Sequence, residues 1–100
     1  MATGFVGILA VELRFSEAGS LKDKRQYLRS TKAQLQNRFG ASVAETGFHD
    51  VWQRAQLVIA LAAAEAGALE HLMDGVERFL FSQAYESMVV ERSIFVPGDE

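Results

Sequence analysis

The chain has 100 residues, 49% hydrophobic and 23% charged, which predicts a single globular domain spanning residues 1–100. It contains no cysteine, which excludes disulfides, thiolate nucleophiles and metal sites built on cysteine. The net charge of −3 is unevenly spread, because residues 22–38 hold six basic side chains and one acid. One short segment therefore carries most of the positive charge of an acidic protein.

Two further features bear on where the chain works. Uncharged stretches such as residues 55–64 are too short to span a bilayer, and the N-terminal apolar run lacks the basic residues that precede it in a signal peptide. Together with the lack of cysteine, these features predict a cytoplasmic protein without a membrane partner.

Residues 5–15 are predicted to form a half-buried strand. The odd-numbered positions are largely apolar and the even-numbered positions end in Glu12 and Arg14, so the odd positions are expected to face a core. The even positions begin apolar, with Val6 and Ile8, on the opposite face.

A long helix is predicted over residues 21–38, which include neither glycine nor proline. Ser20 is a good N-cap residue, and Gly40 suits the residue that ends a helix. Leucines at seven-residue spacing give the helix an apolar stripe. An adjacent stripe is polar and mostly basic, and consists of Lys22, Arg25, Arg29, Lys32 and Gln36.

The remaining elements are predicted to be strands over residues 41–46, 52–62 and 86–96 and a helix over residues 65–81. The first two of these strands should form an antiparallel hairpin, because a short loop separates them. In the final strand, apolar residues recur at even positions apart from Arg92, so the even positions are expected to share one face.

This order of elements, βαββαβ, predicts an α+β domain of the ferredoxin-like kind. Both crossover connections are expected to be right-handed. The result is a four-stranded antiparallel sheet in the order 4-1-3-2, with both helices on one face and the other face open.

The open face is expected to carry several charged and polar side chains. If the hairpin turns about the middle of residues 46–53, Glu45 and Arg54 lie directly opposite each other. We therefore predict that they are cross-strand neighbours that help to set the register. The sequence leaves open whether Glu12, Glu45 and Arg54 are structural or form a functional site.

The same face is expected to carry Val6, Ile8, Val58 and Ala60. An apolar patch that no helix covers is typical of an interface, so we predict a homo-oligomer, a dimer, that buries the open face or an edge strand. The alternative is a monomer with a small and scattered apolar surface.

Catalysis and metal binding have little support in the sequence. His49 lies in the hairpin loop beside Asp50 and His71 lies in the second helix, and neither is part of a nucleophile or metal motif. We predict no cofactor, no metal site and no enzymatic activity. An alternative enzyme hypothesis places a site at a subunit interface, with His49, Asp50, Glu12 and Arg54 as its candidates.

The basic helix stripe is the strongest functional signal. We predict that basic side chains of the helix, joined by one from the sheet, contact RNA phosphates. This set consists of Lys22, Lys24, Arg25, Arg29, Lys32 and Arg54. The competing interpretation is an ordinary solvated helix face. Trp52, at the start of the strand over residues 52–62, together with Phe48 either stacks on a base or caps the core at the hairpin.

Two segments, SLKDKR at residues 20–25 and SVAETGFHDVWQRA at residues 42–55, resemble the YlxP-like family of small bacterial proteins of unknown function. The similarity extends over about residues 4–96. It implies a ferredoxin-like fold and no established enzymatic activity. Family members tend to be encoded near transcription and translation factors, including a ribosome-binding factor, which implies RNA or a ribosomal particle as partner. The alternative is a homodimeric module that binds a protein or small ligand through the open sheet face.

Overall fold

The computed structural model describes residues 3–98, and its six elements follow the predicted order. The strands are β1 (Phe5–Arg14), β2 (Ser42–Gly47), β3 (Arg54–Ala63) and β4 (Glu86–Phe95), and the helices are α1 (Leu21–Phe39) and α2 (Ala66–Phe81). The strands form one antiparallel sheet in the order β2-β3-β1-β4, with both helices on one face. The predicted ferredoxin-like α+β fold is therefore confirmed. Within residues 3–98, neither helix is both long and apolar enough to cross a bilayer.

Both predicted ends of α1 are confirmed. The Ser20 hydroxyl accepts a hydrogen bond from the backbone N–H of Asp23 at 3.1 Å, which satisfies a donor that the first helical turn leaves free. At the other end, Gly40 adopts a left-handed conformation with φ of 66° and donates its N–H to the Gln36 carbonyl at 3.0 Å. Glycine accepts this conformation without the steric cost that a Cβ would add.

The core lies between the helices and the inner face of the sheet. Odd-numbered residues of β1 and β3, such as Leu9 and Leu57, are fully buried, as the alternation predicts. The close approach of α2 to β1 depends on Gly7, because a Cβ there would lie 2.6 Å from the Met73 sulfur and 3.1 Å from a Leu69 methyl group. Packing against α2 therefore selects a residue without a side chain at this point of β1.

The β2–β3 register differs from the prediction. Glu45 pairs with Leu57, and the next pair is Gly47 with Gln56, so Thr46 is an extra residue that forms a bulge. Glu45 consequently faces the helices, whereas Arg54 lies on the open face. The prediction that Glu45 and Arg54 are cross-strand neighbours is wrong, because the turn is centred further along the chain and the bulge shifts the pairing.

A second bulge changes the faces of β4. Val90 is an extra residue, because Val89 pairs with Val11 of β1 and Glu91 pairs with Ala10. Residues of β4 that follow Val90 therefore alternate between the two sheet faces in the opposite phase. Before the bulge Met88 faces the open side, and after it Arg92 and Ile94 face the helices while Phe95 faces the open side. The prediction that even positions of β4 share one face is therefore wrong.

Arg92, the charged residue that interrupts the apolar even positions of β4, follows the bulge and therefore faces α2. The Arg92 guanidinium lies 2.9 Å from an Asp74 oxygen of α2 and is also hydrogen-bonded to Glu77. The hydrogen bond to Glu77 is the main reason why the pKa of Arg92 is raised above its ordinary value. Arg92 thus joins the edge strand to the outer side of α2.

Candidate functional site

The outer side of α1 carries four basic side chains in one row. Lys22, Arg25 and Arg29 are exposed and Lys32 is half-buried. Their spacing of three, four and three residues keeps them on one side of the helix over about 15 Å. None of the four forms an ion pair with an acidic side chain within residues 3–98. We call these four residues the basic row, and among the described residues no acidic side chain neutralises their charge.

Six of the eleven acidic side chains within residues 3–98 lie on the other side of the molecule. α1 packs beside β2 at one edge of the sheet, and α2 packs over β1, β3 and β4. Six acids are found on β4 and on α2 with its N-cap: Glu65, Glu70, Asp74, Glu77, Glu86 and Glu91. The uneven charge of the sequence thus becomes a charge separation across the sheet, with the basic row at the β2 side.

Lys24 does not belong to the basic row. It is only 2% exposed, and its Nζ atom lies 2.6 Å from the Phe48 carbonyl oxygen, 2.8 Å from the Val51 carbonyl oxygen and 3.0 Å from a Glu45 carboxylate oxygen. Its ammonium therefore donates to two backbone carbonyls, and the Glu45 carboxylate provides a buried counter-charge. The structure corrects the prediction that Lys24 contacts phosphate, because its side chain holds the β2–β3 loop instead.

The β2–β3 loop presents Trp52 to solvent. Val51 donates its N–H to the Phe48 carbonyl at 3.0 Å, and Phe15 donates its N–H to the Gln53 carbonyl at 2.8 Å. Trp52 lies between these fixed points and is 47% exposed. About half of the surface of Trp52 is therefore open to solvent, as the base-stacking alternative requires.

Arg54 is already engaged on the open face. Its Nε donates to a Glu12 carboxylate oxygen at 3.0 Å, and its guanidinium lies 4.0 Å from the centre of the Phe48 ring. Phe48 has a φ of 60°, uncommon for a residue with a side chain, and this conformation accompanies the contact of its ring with Arg54. Because α1 covers the opposite face, the structure does not bring Arg54 to the basic row.

The four predicted interface residues do lie together. Ile8 is opposite Ala60 and both are half-buried, as are Val6 and Val58 nearby in β1 and β3. Phe95, 52% exposed, is opposite Val6 and extends the same surface. We call this surface the apolar patch; it consists of Val6, Ile8, Ala10, Val58, Ala60, Ala62 and Phe95. Sequence reasoning missed Phe95 because the bulge in β4 carries no recognisable signal.

The candidates for acid–base chemistry do not form one cluster. The Nε2 atom of His49 lies 3.3 Å from the backbone oxygen of Glu45, whereas Glu12 and Arg54 pair with each other. His71 is exposed on α2. In the part of the chain between residues 3 and 98, no three metal-ligating side chains are grouped to hold an ion.

The sequence model of the family described as "protein of unknown function (DUF503)" matches residues 6–93. The chain belongs to the DUF503 family. The "uncharacterized protein YlxP" of Bacillus subtilis strain 168 is 34% identical over 77 residues, which cover 77% of this chain and 84% of that protein. The resemblance to the YlxP-like family is thereby confirmed, and the family description names no activity.

Solved structures similar to this DUF503 chain share its fold alone. The de novo designed protein Foldit4 superposes with a TM-score of 0.57 at 10% identity, covering 93% of this chain and 97% of that one. A VAO-type flavoprotein from Myceliophthora thermophila C1 gives a TM-score of 0.55 at 16% identity, over 93% of this chain and 16% of that one. Because a designed protein and part of a flavoprotein share it, this architecture carries no functional information by itself.

Proposed function

We propose that this DUF503 protein is a non-enzymatic module that binds RNA, free or within a ribosomal particle, through the basic row of α1. The observation that carries the proposal is that four basic side chains form one row and pair with no acidic side chain of residues 3–98. Side chains of this kind gain free energy on meeting phosphates, largely because counterions condensed on the nucleic acid are released.

The charge separation supports a directed encounter with RNA. The whole chain is acidic and would be repelled by RNA at long range, so binding requires one face to act locally. Physiological salt screens electrostatic interactions beyond about 8 Å. RNA that touches the basic row is therefore attracted by it, whereas the acids on the far side of the sheet are too distant to repel that RNA strongly. The contacting set is Lys22, Arg25, Arg29 and Lys32, without Lys24 and Arg54.

The experiment compares two variants with equal net charge. Arg25→Gln/Arg29→Gln removes two positive charges from the basic row, and Ala64→Glu/Ala68→Glu adds two negative charges at exposed positions near the start of α2. Affinity for a labelled single-stranded RNA and for isolated ribosomal subunits is measured by fluorescence anisotropy and sedimentation. We expect the arginine variant to bind at least about tenfold more weakly, since hydrogen bonds to charged groups are lost. The matched control should change little.

Equal weakening in the two variants would assign the effect to net charge and remove the basic row from the proposal. No binding of either RNA sample by the wild-type protein at low salt would contradict RNA binding itself. Circular dichroism checks that both variants remain folded.

A second candidate function is favoured by the apolar patch. We propose that it forms the interface of a homodimer in which two open faces pack against each other. Its side chains are mostly short, which leaves a flat surface suited to a second sheet about 10 Å away, and the exposed ring of Phe95 provides a larger anchor. In the dimer the apolar patch would be buried, whereas in a monomer it would be exposed to water.

The dimer is tested by the mass in solution at micromolar concentration, measured by sedimentation equilibrium. Val58→Lys places a charge within the apolar patch and should yield a monomer, whereas Ala68→Lys on exposed α2 should remain dimeric. A wild-type protein that is monomeric under these conditions would contradict the proposed interface.

A further inference from the structure

We infer that the RNA bound by this protein is single-stranded and that one of its unpaired bases stacks on Trp52. The inference rests on the proposed function and specifies the kind of RNA. Its basis is the position of an exposed indole on a fixed loop beside the first turns of α1.

The loop that carries Trp52 is anchored on both sides of this residue. On one side, the Val51 carbonyl accepts a hydrogen bond from Lys24 Nζ at 2.8 Å. On the other side, the Gln53 carbonyl accepts one from the backbone N–H of Phe15 at 2.8 Å. Trp52 is therefore the one residue between two anchored carbonyls, and its backbone is held in place before any ligand arrives. A loop whose backbone is already fixed loses less conformational entropy on binding.

The same anchor brings the loop to the basic row. Lys24 lies in α1 between Lys22 and Arg25, and its ammonium reaches inward to the carbonyls of Phe48 and Val51. The loop consequently packs against the first turns of α1, from which Lys22 and Arg25 point to solvent. An aromatic side chain next to basic groups is the arrangement that proteins use for single-stranded nucleic acids, with cations on phosphates and rings on bases.

Exposure and surroundings leave the indole available. Trp52 is 47% exposed and Val51 beside it is 41% exposed. Within residues 3–98, the aromatic rings that contact one another are those of Phe15, Tyr27 and Tyr85 and those of Phe39 and Phe79. Trp52 takes no part in these pairs, so a ligand can reach its ring.

Stacking on Trp52 selects single strands. In an RNA duplex the faces of the bases are covered by their neighbours, and proteins recognise it by shape and by backbone contacts. An unpaired base can turn out of the strand and cover an indole. The basic row alone would bind both forms, so preference for a single strand is the property that Trp52 adds.

The test uses the intrinsic fluorescence of the protein, because Trp52 is its single tryptophan. The wild-type protein is titrated with an oligouridine and with an RNA duplex of equal length at low salt. We expect the oligouridine to quench the fluorescence and to bind more tightly than the duplex. Trp52→Ala should weaken oligouridine binding by about 5- to 150-fold, the range that loss of one stacked base produces, and Trp52→Phe should retain part of the affinity.

The outcomes separate the two proposals. Binding of oligouridine without a change in fluorescence, or with equal affinity in Trp52→Ala, would overturn the stacking inference and leave the basic row intact. Tighter binding of the duplex would overturn it as well. If neither RNA binds at low salt, the proposed function fails and the inference fails with it. Because Trp52 is 47% exposed, Trp52→Ala also removes some packing, so circular dichroism at the temperature of the titration is used to check that the variant remains folded.

Discussion

The ammonium group of Lys24 lies 3.0 Å from a carboxylate oxygen of Glu45, and α1 and the β2–β3 loop exclude water from most of this pair. A buried ion pair is tolerated when additional hydrogen bonds support it, and here the Lys24 ammonium donates to two loop carbonyls, those of Phe48 and Val51. The pair thereby joins the first helix to the hairpin loop that presents Trp52.

Removal of one partner from this pair is expected to be costly. Lys24→Met leaves Glu45 buried without its cation and frees two loop carbonyls, so the free energy of unfolding should fall by about 3–5 kcal/mol in urea denaturation. The matched control is Lys22→Met two residues earlier, which is exposed and should stay within about 0.5 kcal/mol of the wild type. The double variant Lys24→Met/Glu45→Leu should recover part of the loss. Equal stability of Lys24→Met and Lys22→Met would contradict the structural role of Lys24.

A second prediction concerns Glu12, which separates two like charges. Arg14 and Arg54 are direct cross-strand partners in β1 and β3. One oxygen of Glu12 accepts from Arg54 Nε at 3.0 Å and lies 3.8 Å from Arg14 Nε. Like charges opposite each other destabilise a sheet, so Glu12→Gln should lower the free energy of unfolding by about 1–3 kcal/mol.

The repulsion is isolated by a second substitution. Glu12→Gln/Arg14→Gln should be more stable than Glu12→Gln in urea denaturation, since one of the two facing cations is then absent. A double variant that is no more stable than the single one would show that repulsion between Arg14 and Arg54 is negligible.

The third prediction concerns stability at high pH. Burial raises the pKa of the Tyr85 hydroxyl above its ordinary value of 10.0, and the hydrogen bond with Thr31, at 2.8 Å, lowers it by a smaller amount. The folded protein therefore holds this proton more tightly than the unfolded chain does. The associated stability is complete below about pH 10 and is lost as the pH rises through the folded-state pKa.

This loss is measured as the change in the free energy of unfolding between about pH 9 and about pH 11. Tyr85→Phe has no hydroxyl to ionise and should lose less stability than the wild type over this interval. An equal loss in the two proteins would assign the pH dependence to other groups.

Several features of the fold follow directly from the sequence. The alternation of β1 and β3 predicts which face of the sheet is buried, because a half-buried strand repeats every two residues. Ser20 and Gly40 mark the ends of α1, since the unpaired groups of a helix end favour those residue types. In such segments the local signals for a helix or strand agree with the burial that tertiary packing requires, so the sequence predicts the element correctly.

The features that sequence reasoning missed depend on single residues. The bulges at Thr46 and Val90 each shift one strand by one residue, which moves Glu45 to the helix face and Phe95 to the open face. Hydrophobic patterns do not locate such insertions, because the partner strand determines where the extra residue lies. Lys24 is different, since its position four residues before the buried Leu28 places it on the inward side of α1. The positive charge of Lys24 suggested that it contacts phosphate from the solvent side, but its position in the helical repeat places it on the buried side.

The salt dependence of RNA affinity tests the role of the basic row most directly. For a single strand, the logarithm of the binding constant falls with the logarithm of salt concentration with a slope of about −0.7 for each phosphate contact. If all four residues of the basic row bind phosphates, the slope is about −3, and Arg25→Gln/Arg29→Gln should reduce its magnitude by about 1.4. A slope near zero, or the same slope in the wild-type protein and this variant, would contradict phosphate binding by α1.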